Sequence, residues 1–122
     1  MEMRKLQELA VSALEDIKGK NIEVIDTRGL SPLFDAMIIA TGDSNRQVRA
    51  LARNVEDKAG EAGAEVLGIE GQEAGEWVLV DLGDIVVHVM QPAIRTYYNL
   101  EELWKVVPKR TRKKAGTDSD GE

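Results

Sequence analysis

The stretch GEWVLVDLGDIVVHVM, from Gly75 to Met90, decides the fold of this chain. Two apolar runs flank the segment DLGD, in which Gly83 can adopt the positive φ that a tight reversal needs. Each run is apolar at successive positions, and therefore on both faces of an extended strand. The stretch predicts two antiparallel strands that lie inside a sheet, with helices packed against it.

The segments around this hairpin complete the predicted fold. Apolar residues recur at helical spacing from Leu6 to Ile17, and again after Ser44, which together with Gln47 forms a capping-box pattern. NIEVIDTRG, DAMIIATG and AEVLGIE predict strands, and NLEELWKVV (99–107) predicts a last short helix. The predicted order is helix, strand, strand, helix, strand, strand, strand, helix. We therefore expect an α/β (α+β) fold with a mixed sheet of about five strands.

Length and charge divide the chain into one domain and a tail. The 122 residues suffice for one domain, and the 43% of hydrophobic residues suffice for a core. Basic residues crowd into PKRTRKK (108–114), so the rest of the chain is more acidic than the net charge of −6 suggests. We expect a folded domain over residues 1–107 and a disordered, basic-then-acidic tail over residues 108–122. Such an acidic domain is not expected to bind nucleic acid over its whole surface.

Composition also excludes several classes of chemistry. The chain has no cysteine, which excludes disulfides, thiolate nucleophiles and thiolate metal sites. The charged N-terminal segment does not resemble a signal peptide, and no apolar stretch has the length of a membrane span. These features predict a soluble, cytoplasmic protein.

No candidate catalytic or metal site has a complete set of residues. TGDSN (41–45) could cradle a phosphate, but a glycine turn followed by a helix cap explains it more simply. Asp81 and Asp84 flank the hairpin turn, where aspartate is common, and no third ligand is apparent. His88, the only histidine, has no serine nucleophile motif beside it. Of the three roles considered for His88, a structural role ranks first, an interface role second and a catalytic role third. The sequence thus predicts no catalytic residue, no metal and no cofactor.

Two groups of residues are candidates for contact with a macromolecule. Arg46, Arg49 and Arg53 share one helix face, either as a solvated surface or as a basic stripe for RNA or an acidic partner. Trp77 and Tyr98 stand out because aromatic residues make up only 4% of the chain. For these two, core packing and an interface role both remain open.

Three segments carry a resemblance to a known family. DAMIIATGDSNRQVRALA, GEWVLVDLGDIVVHVM and YYNLEELW, in this order and spacing, resemble the ribosomal silencing factor family, also called Iojap-related. The similarity covers the chain from the first helix to Val107. It implies a nucleotidyltransferase-like topology without established enzyme activity. It also implies binding to the large ribosomal subunit through its uL14-type protein, which blocks joining of the small subunit and represses translation. Members of the family can form homodimers, and organellar relatives assist large-subunit assembly.

The resemblance assigns roles to individual residues. Trp77, Tyr98 and Leu100 match positions expected to contact the ribosomal protein. Other matching positions are expected to shape the sheet edge (Asp81, Asp84 and His88) or to fix the start of the second helix (Asn45 and Arg46). Ala36 and Met37 stand where the family usually carries large aromatic residues, so any role of those rings does not carry over to this chain.

Two alternatives compete with the silencing role. A small nucleotidyltransferase-like enzyme would need paired acids, spaced by one residue, on the strand after its Gly-Ser turn, and no such pair occurs there. An RNA-binding module would use the arginine stripe and the tail, although in the silencing hypothesis RNA contact is at most accessory.

Overall fold

The computed structural model describes residues 2–99, which form three helices and one five-stranded sheet. In chain order the elements are α1 (Met3–Asp16), β1 (Lys20–Asp26), β2 (Ala36–Thr41), α2 (Asn45–Glu61), β3 (Gly68–Glu70), β4 (Trp77–Asp81), β5 (Ile85–Met90) and α3 (Pro92–Tyr98). The strands lie in the order β1-β2-β5-β4-β3, with β2 and β5 parallel and the other neighbours antiparallel. The predicted mixed α+β sheet is confirmed.

The helix α3 was not predicted from the sequence. It spans Pro92–Tyr98, and Asn99 closes it in the left-handed conformation at φ 51°. Proline is favoured at the first helical position because its fixed φ suits a helix and its missing N–H would have no partner there. The helix predicted over 99–107 and the tail predicted over 108–122 lie outside the described residues.

The main core fills one face of the sheet. Alternate residues of β2 and β5, such as Ile38 and Val87, point to this face and are fully buried. α1 and α2 cover it with the apolar stripes that their helical spacing predicted, including Leu14, Leu51 and Val55. β2 is buried on both faces, and β5 is buried on this face and half-buried at Val86 and His88 on the other, which fits their nearly continuous apolar runs.

A smaller core lies on the opposite face. Ile25, Met37, Ile39 and Met90 are buried there, and Ile94 of α3 packs against them together with Phe34 and Trp77. Met37 is thus part of this smaller core. Among the elements of the described residues, only α3 packs on this face, whereas α1 and α2 cover the other.

Side-chain hydrogen bonds join the end of α1 to the start of α2. The Ser44 hydroxyl accepts from the Gln47 backbone N–H at 3.1 Å, as the capping-box pattern predicted. The Gln47 carboxamide accepts from the Asp43 N–H at 2.7 Å and donates to the carbonyls of Ile17 and Lys18. Lys18, just after α1, adopts the left-handed conformation at φ 63°.

Replacing the cap should lower stability measurably. Ser44→Ala removes the acceptor for the Gln47 N–H and should lower the free energy of unfolding by about 1 kcal/mol. Ser12→Ala is a matched control, because Ser12 is exposed in the middle of α1 and alanine is the better helix former. Urea unfolding followed by circular dichroism measures both variants. Equal stability of the two variants would contradict the capping role.

Candidate protein-interaction site

The hairpin between β4 and β5 uses its aspartates as turn residues. The Asp81 carboxylate accepts from the Gly83 N–H at 2.9 Å, with Gly83 at φ 91°. The Asp84 carbonyl accepts from the backbone N–H groups of Asp35 and Ala36, which ties the turn to the start of β2. Within residues 2–99, no group of three or more His, Cys, Asp or Glu side chains is placed to hold a metal ion.

The pairing of β4 with β5 brings Trp77 and His88 together. Trp77 is opposite Met90 and Leu79 is opposite His88, so Trp77 and His88 are diagonal neighbours on one face. The indole N–H of Trp77 donates to Nδ1 of His88 at 2.9 Å, and the ring centroids lie 5.8 Å apart. β5 is a central strand, so the expectation that His88 shapes the sheet edge is wrong.

The environment of His88 keeps its imidazole neutral. Burial lowers the pKa of His88 from the ordinary value of 6.5 to about 4, because desolvation disfavours the charged ring. Since Nδ1 accepts the indole hydrogen bond, the single ring proton of the neutral form resides on Nε2. The ring is thus a fixed hydrogen-bond acceptor at neutral pH. No nucleophile partner is found for it among the hydrogen bonds of the described residues.

Two tyrosines at the end of α3 extend this pair of rings. The Tyr98 ring lies 4.8 Å from that of Trp77, and Tyr97 meets Tyr98 edge-on at 5.0 Å. Tyr97 is 81% exposed and Tyr98 is 50% exposed. Both tyrosines therefore lie at the surface. We call Trp77, His88, Tyr97 and Tyr98 the aromatic patch.

The loop before β4 is fixed by close backbone contacts. A Cβ at Gly71, whose φ is +90°, would lie 2.1 Å from the Trp77 carbonyl oxygen. Gly75, at φ +70°, is buried against Asn45 and Arg49 at the start of α2. Only glycine combines this conformation with this closeness. The backbone conformation of this loop therefore sets the position at which Trp77 begins β4.

Polar side chains from two other elements hold the same loop. The Gln91 carboxamide donates to the carbonyl of Gly75 at 3.1 Å and to the side-chain oxygen of Asn45, and the Gln91 N–H donates to the Glu76 carbonyl. The Arg49 guanidinium donates to the carbonyl of Glu73 at 3.1 Å. These bonds join α2, the loop and the start of α3 beside the aromatic patch.

The arginine stripe is only partly available as a surface. Arg46, Arg49 and Arg53 are all exposed on α2, as their spacing predicted. Arg49, however, is engaged with the loop carbonyls, which the sequence did not indicate. Leu100, the third residue expected to contact a ribosomal protein, lies outside the described residues.

Three features that support the aromatic patch were not predicted from the sequence. Pro92 followed by Asn99 could have indicated α3, since proline opens helices and asparagine often closes them. The tight turn at Gly83 could have fixed the strand register, and with it the diagonal contact of Trp77 with His88. Nothing in the sequence indicated that the buried guanidinium of Arg95 donates to the Thr41 hydroxyl at 2.8 Å, which anchors α3 to β2.

Comparison with known proteins identifies the family. The family described as "Ribosomal silencing factor during starvation" matches residues 1–121. The chain belongs to the ribosomal silencing factor family. A ribosomal silencing factor from Chromobacterium violaceum is 61% identical over 104 residues, which are 85% of each chain. One from Bacillus subtilis is 42% identical over 108 residues, covering 88% of this chain and 92% of its relative.

Organellar relatives and solved structures agree with this family assignment. The chloroplastic Iojap protein of Zea mays is 35% identical over 92 residues, which are 75% of this chain and 40% of that protein. A crystal structure of a Chromobacterium violaceum protein has a TM-score of 0.85 at 60% identity, covering 86% of this chain and 88% of that one. A Bacillus halodurans structure has a TM-score of 0.76 at 42% identity, covering 83% of this chain and 94% of that one.

No helix within residues 2–99 is long and apolar enough to cross a membrane.

Gly71 provides a test of the loop geometry. Gly71→Ala places a Cβ against the Trp77 carbonyl and should lower the free energy of unfolding by more than about 1 kcal/mol. Gly60→Ala is the control, because Gly60 lies in α2 with open space around it, and alanine there should raise stability by about 0.5–1 kcal/mol. Thermal unfolding of both variants measures the difference. A neutral Gly71→Ala would contradict the described loop.

The neutral state of His88 predicts a specific pH dependence of stability. Since the folded-state pKa of about 4 is below the ordinary 6.5, the unfolded chain binds more protons between these values. The stability from neutral His88 is therefore fully present above pH 6.5 and is lost as pH falls toward 4, by up to about 3 kcal/mol. Unfolding by urea between pH 4 and 7.5, for the wild type and His88→Asn, measures this loss.

The comparison with His88→Asn removes the contribution of the carboxylates, which both proteins share. Wild-type stability should fall more steeply than that of the variant between pH 6.5 and 4. Parallel stability curves across this range would show that His88 has its ordinary pKa in the folded protein.

Proposed function

We propose that this protein represses translation by binding the large ribosomal subunit at its uL14-type protein, where it blocks joining of the small subunit. Membership of the ribosomal silencing factor family supports a role in ribosome silencing. The observation that carries the finer proposal is the aromatic patch on the partly open face of the sheet. We place this activity in the cytoplasm, where bacterial subunits join.

The aromatic patch has the composition of a protein-binding anchor. Of the four aromatic side chains described, only Phe34 lies outside it. Tyrosine and tryptophan dominate binding energy at protein interfaces, because they bury a large area at a low cost in conformational entropy. Two exposed tyrosines against a partly buried tryptophan thus support a docking role for Trp77 and Tyr98. By the family resemblance, Leu100 would join them.

The charge around the patch favours a basic protein partner. Between Lys58 and Arg95 the chain has no lysine or arginine, and it has seven acidic residues. β3, β4 and β5 all lie in this acidic segment. Complementary charge would speed encounter with a basic ribosomal protein, while repulsion would disfavour contact with RNA phosphates. The guanidinium of Arg49 already donates to the carbonyl of Glu73, which also weakens the RNA-binding alternative.

Silencing of this kind needs no chemical step. A small folded domain that occupies the surface where two subunits meet prevents their joining by steric overlap alone. Interfaces of about 800 Å² per partner suffice for stable binding when a few anchors are well packed. The relatives are named as silencing factors rather than as enzymes, which agrees with this mechanism.

Co-sedimentation with purified ribosomal subunits tests the proposal. The protein should sediment with the large subunit and not with the small subunit, and it should reduce formation of joined ribosomes as its concentration rises. Removal of residues 108–122 should leave binding unchanged. Binding to both subunits, or to neither, would contradict the proposal.

Substitutions in the patch should weaken binding. Trp77→Ala and Tyr98→Ala should each cost about 1–4 kcal/mol of binding free energy, because each removes an aromatic anchor. Val24→Thr is the control, since Val24 is 42% exposed on β1, at the far end of the strand order from β3. Binding curves and circular dichroism of each variant separate lost contact from lost folding. Folded variants that bind like the wild type would exclude the patch as the contact.

A further inference from the structure

The indole N–H is the only polar group of the Trp77 side chain, and the protein already satisfies it. It donates to Nδ1 of His88 at 2.9 Å across the β4–β5 pair. A buried indole N–H usually needs a hydrogen-bond partner, which at an interface the binding partner or water can supply. In this protein the acceptor is a side chain of the neighbouring strand.

We infer that His88 is a positioning residue for Trp77, which holds the indole in its docking orientation and occupies its N–H, so that the partner meets an apolar ring. The inference deepens the proposed function and rests on it, because it assumes that Trp77 contacts the partner. It assigns to His88 a role that depends on hydrogen bonding rather than on packing or on proton transfer.

The rings of His88 and Tyr98 both contact the indole of Trp77 and together hold its orientation. His88 contacts Trp77 from one neighbouring strand, at a ring separation of 5.8 Å, and Tyr98 contacts it from α3, at 4.8 Å. The strand register sets the position of His88, and the closing of α3 at Asn99 sets that of Tyr98. The indole is thus held by two elements that are themselves fixed. An anchor held in its bound orientation loses less conformational entropy on binding.

The chemistry of His88 suits this role. A neutral imidazole with its proton on Nε2 presents a lone pair at Nδ1, which is what the indole N–H requires. Phenylalanine would fill a similar volume but has no acceptor, so the partly buried N–H would lose its partner or turn the indole toward water. Asparagine is smaller, but its side-chain oxygen lies near the position of Nδ1.

The bonded N–H of Trp77 also indicates the chemistry of the partner surface that receives this ring. Since the N–H is already bonded, the partner needs no acceptor aimed at this ring. An apolar pocket would accommodate the exposed part of the indole. Basic residues around the pocket would complement the acidic segment from which β4 and β5 are formed.

Two substitutions separate hydrogen bonding from packing. If His88 acts through its acceptor, His88→Phe should weaken large-subunit binding by about tenfold, and His88→Asn should remain within about threefold of wild type. If His88 only fills space, the order is reversed, because phenylalanine preserves the packing and asparagine does not. Affinity is measured by titration of labelled protein with purified large subunits. The reversed order, or wild-type affinity of His88→Phe, would overturn the inference.

The Trp77→Ala variant distinguishes this inference from the proposed function. If Trp77→Ala binds weakly and His88→Phe binds like the wild type, the docking proposal stands and the positioning role of His88 falls. If neither variant loses affinity, both fall. Where the positioning role holds, adding His88→Phe to Trp77→Ala should produce no further loss, because the residue that His88 positions is absent.

A measurement on the wild-type protein does not depend on whether a variant folds. In ¹⁵N,¹³C-labelled wild-type protein, the Trp77 indole N–H, assigned by triple-resonance spectra, should exchange slowly with solvent. It should also show scalar coupling between Nε1 of Trp77 and Nδ1 of His88. The ¹⁵N shifts of His88 should show the proton on Nε2. Rapid exchange without coupling would mean that the hydrogen bond does not persist in solution and would overturn the inference.

Discussion

The parallel pairing of β2 with β5 is the constraint on which the rest of the structure depends. Parallel neighbours cannot be joined by a tight turn, so the chain must cross over between them through α2, β3 and β4. This crossover places α2 beside α1 on one face of the sheet and returns β5 to its centre. Within residues 2–99 the other face is left to one short helix, and the partly open surface that results carries the aromatic patch.

Support for the patch comes from the same central strand. β5 supplies His88 to orient Trp77, and the residue after β5, Gln91, bonds to the loop that leads into Trp77. α3 then begins at Pro92 and brings Tyr98 against the indole. A surface held by these contacts is formed before any partner arrives, which suits a protein that acts by occupying space. The acidic composition of the same segment adds a preference for a basic partner.

Much of this fold follows from local sequence signals, and the part that does not is formed by long-range contacts. The continuous apolar runs of β2 and β5 predicted buried strands, and Ser44 with Gln47 predicted the start of α2, because these signals act over a few residues. The helix after Pro92 was missed, since its short apolar pattern is weaker than that of 99–107. The residues Trp77 and Tyr98 were found from their chemical type. Their contact, the bond to His88 and the engagement of Arg49 depend on tertiary placement that periodicity cannot supply.

Hydrogen–deuterium exchange of the protein, free and bound to purified large subunits, tests most directly which surface makes the contact. If the aromatic patch is the contact, added protection concentrates in β4 and α3, around Trp77 and Tyr98, and the outer face of α2 is unchanged. Protection centred on α2, around Arg46 and Arg53, with none at β4 or α3, would exclude the patch as the contact and would favour binding to RNA through the basic stripe.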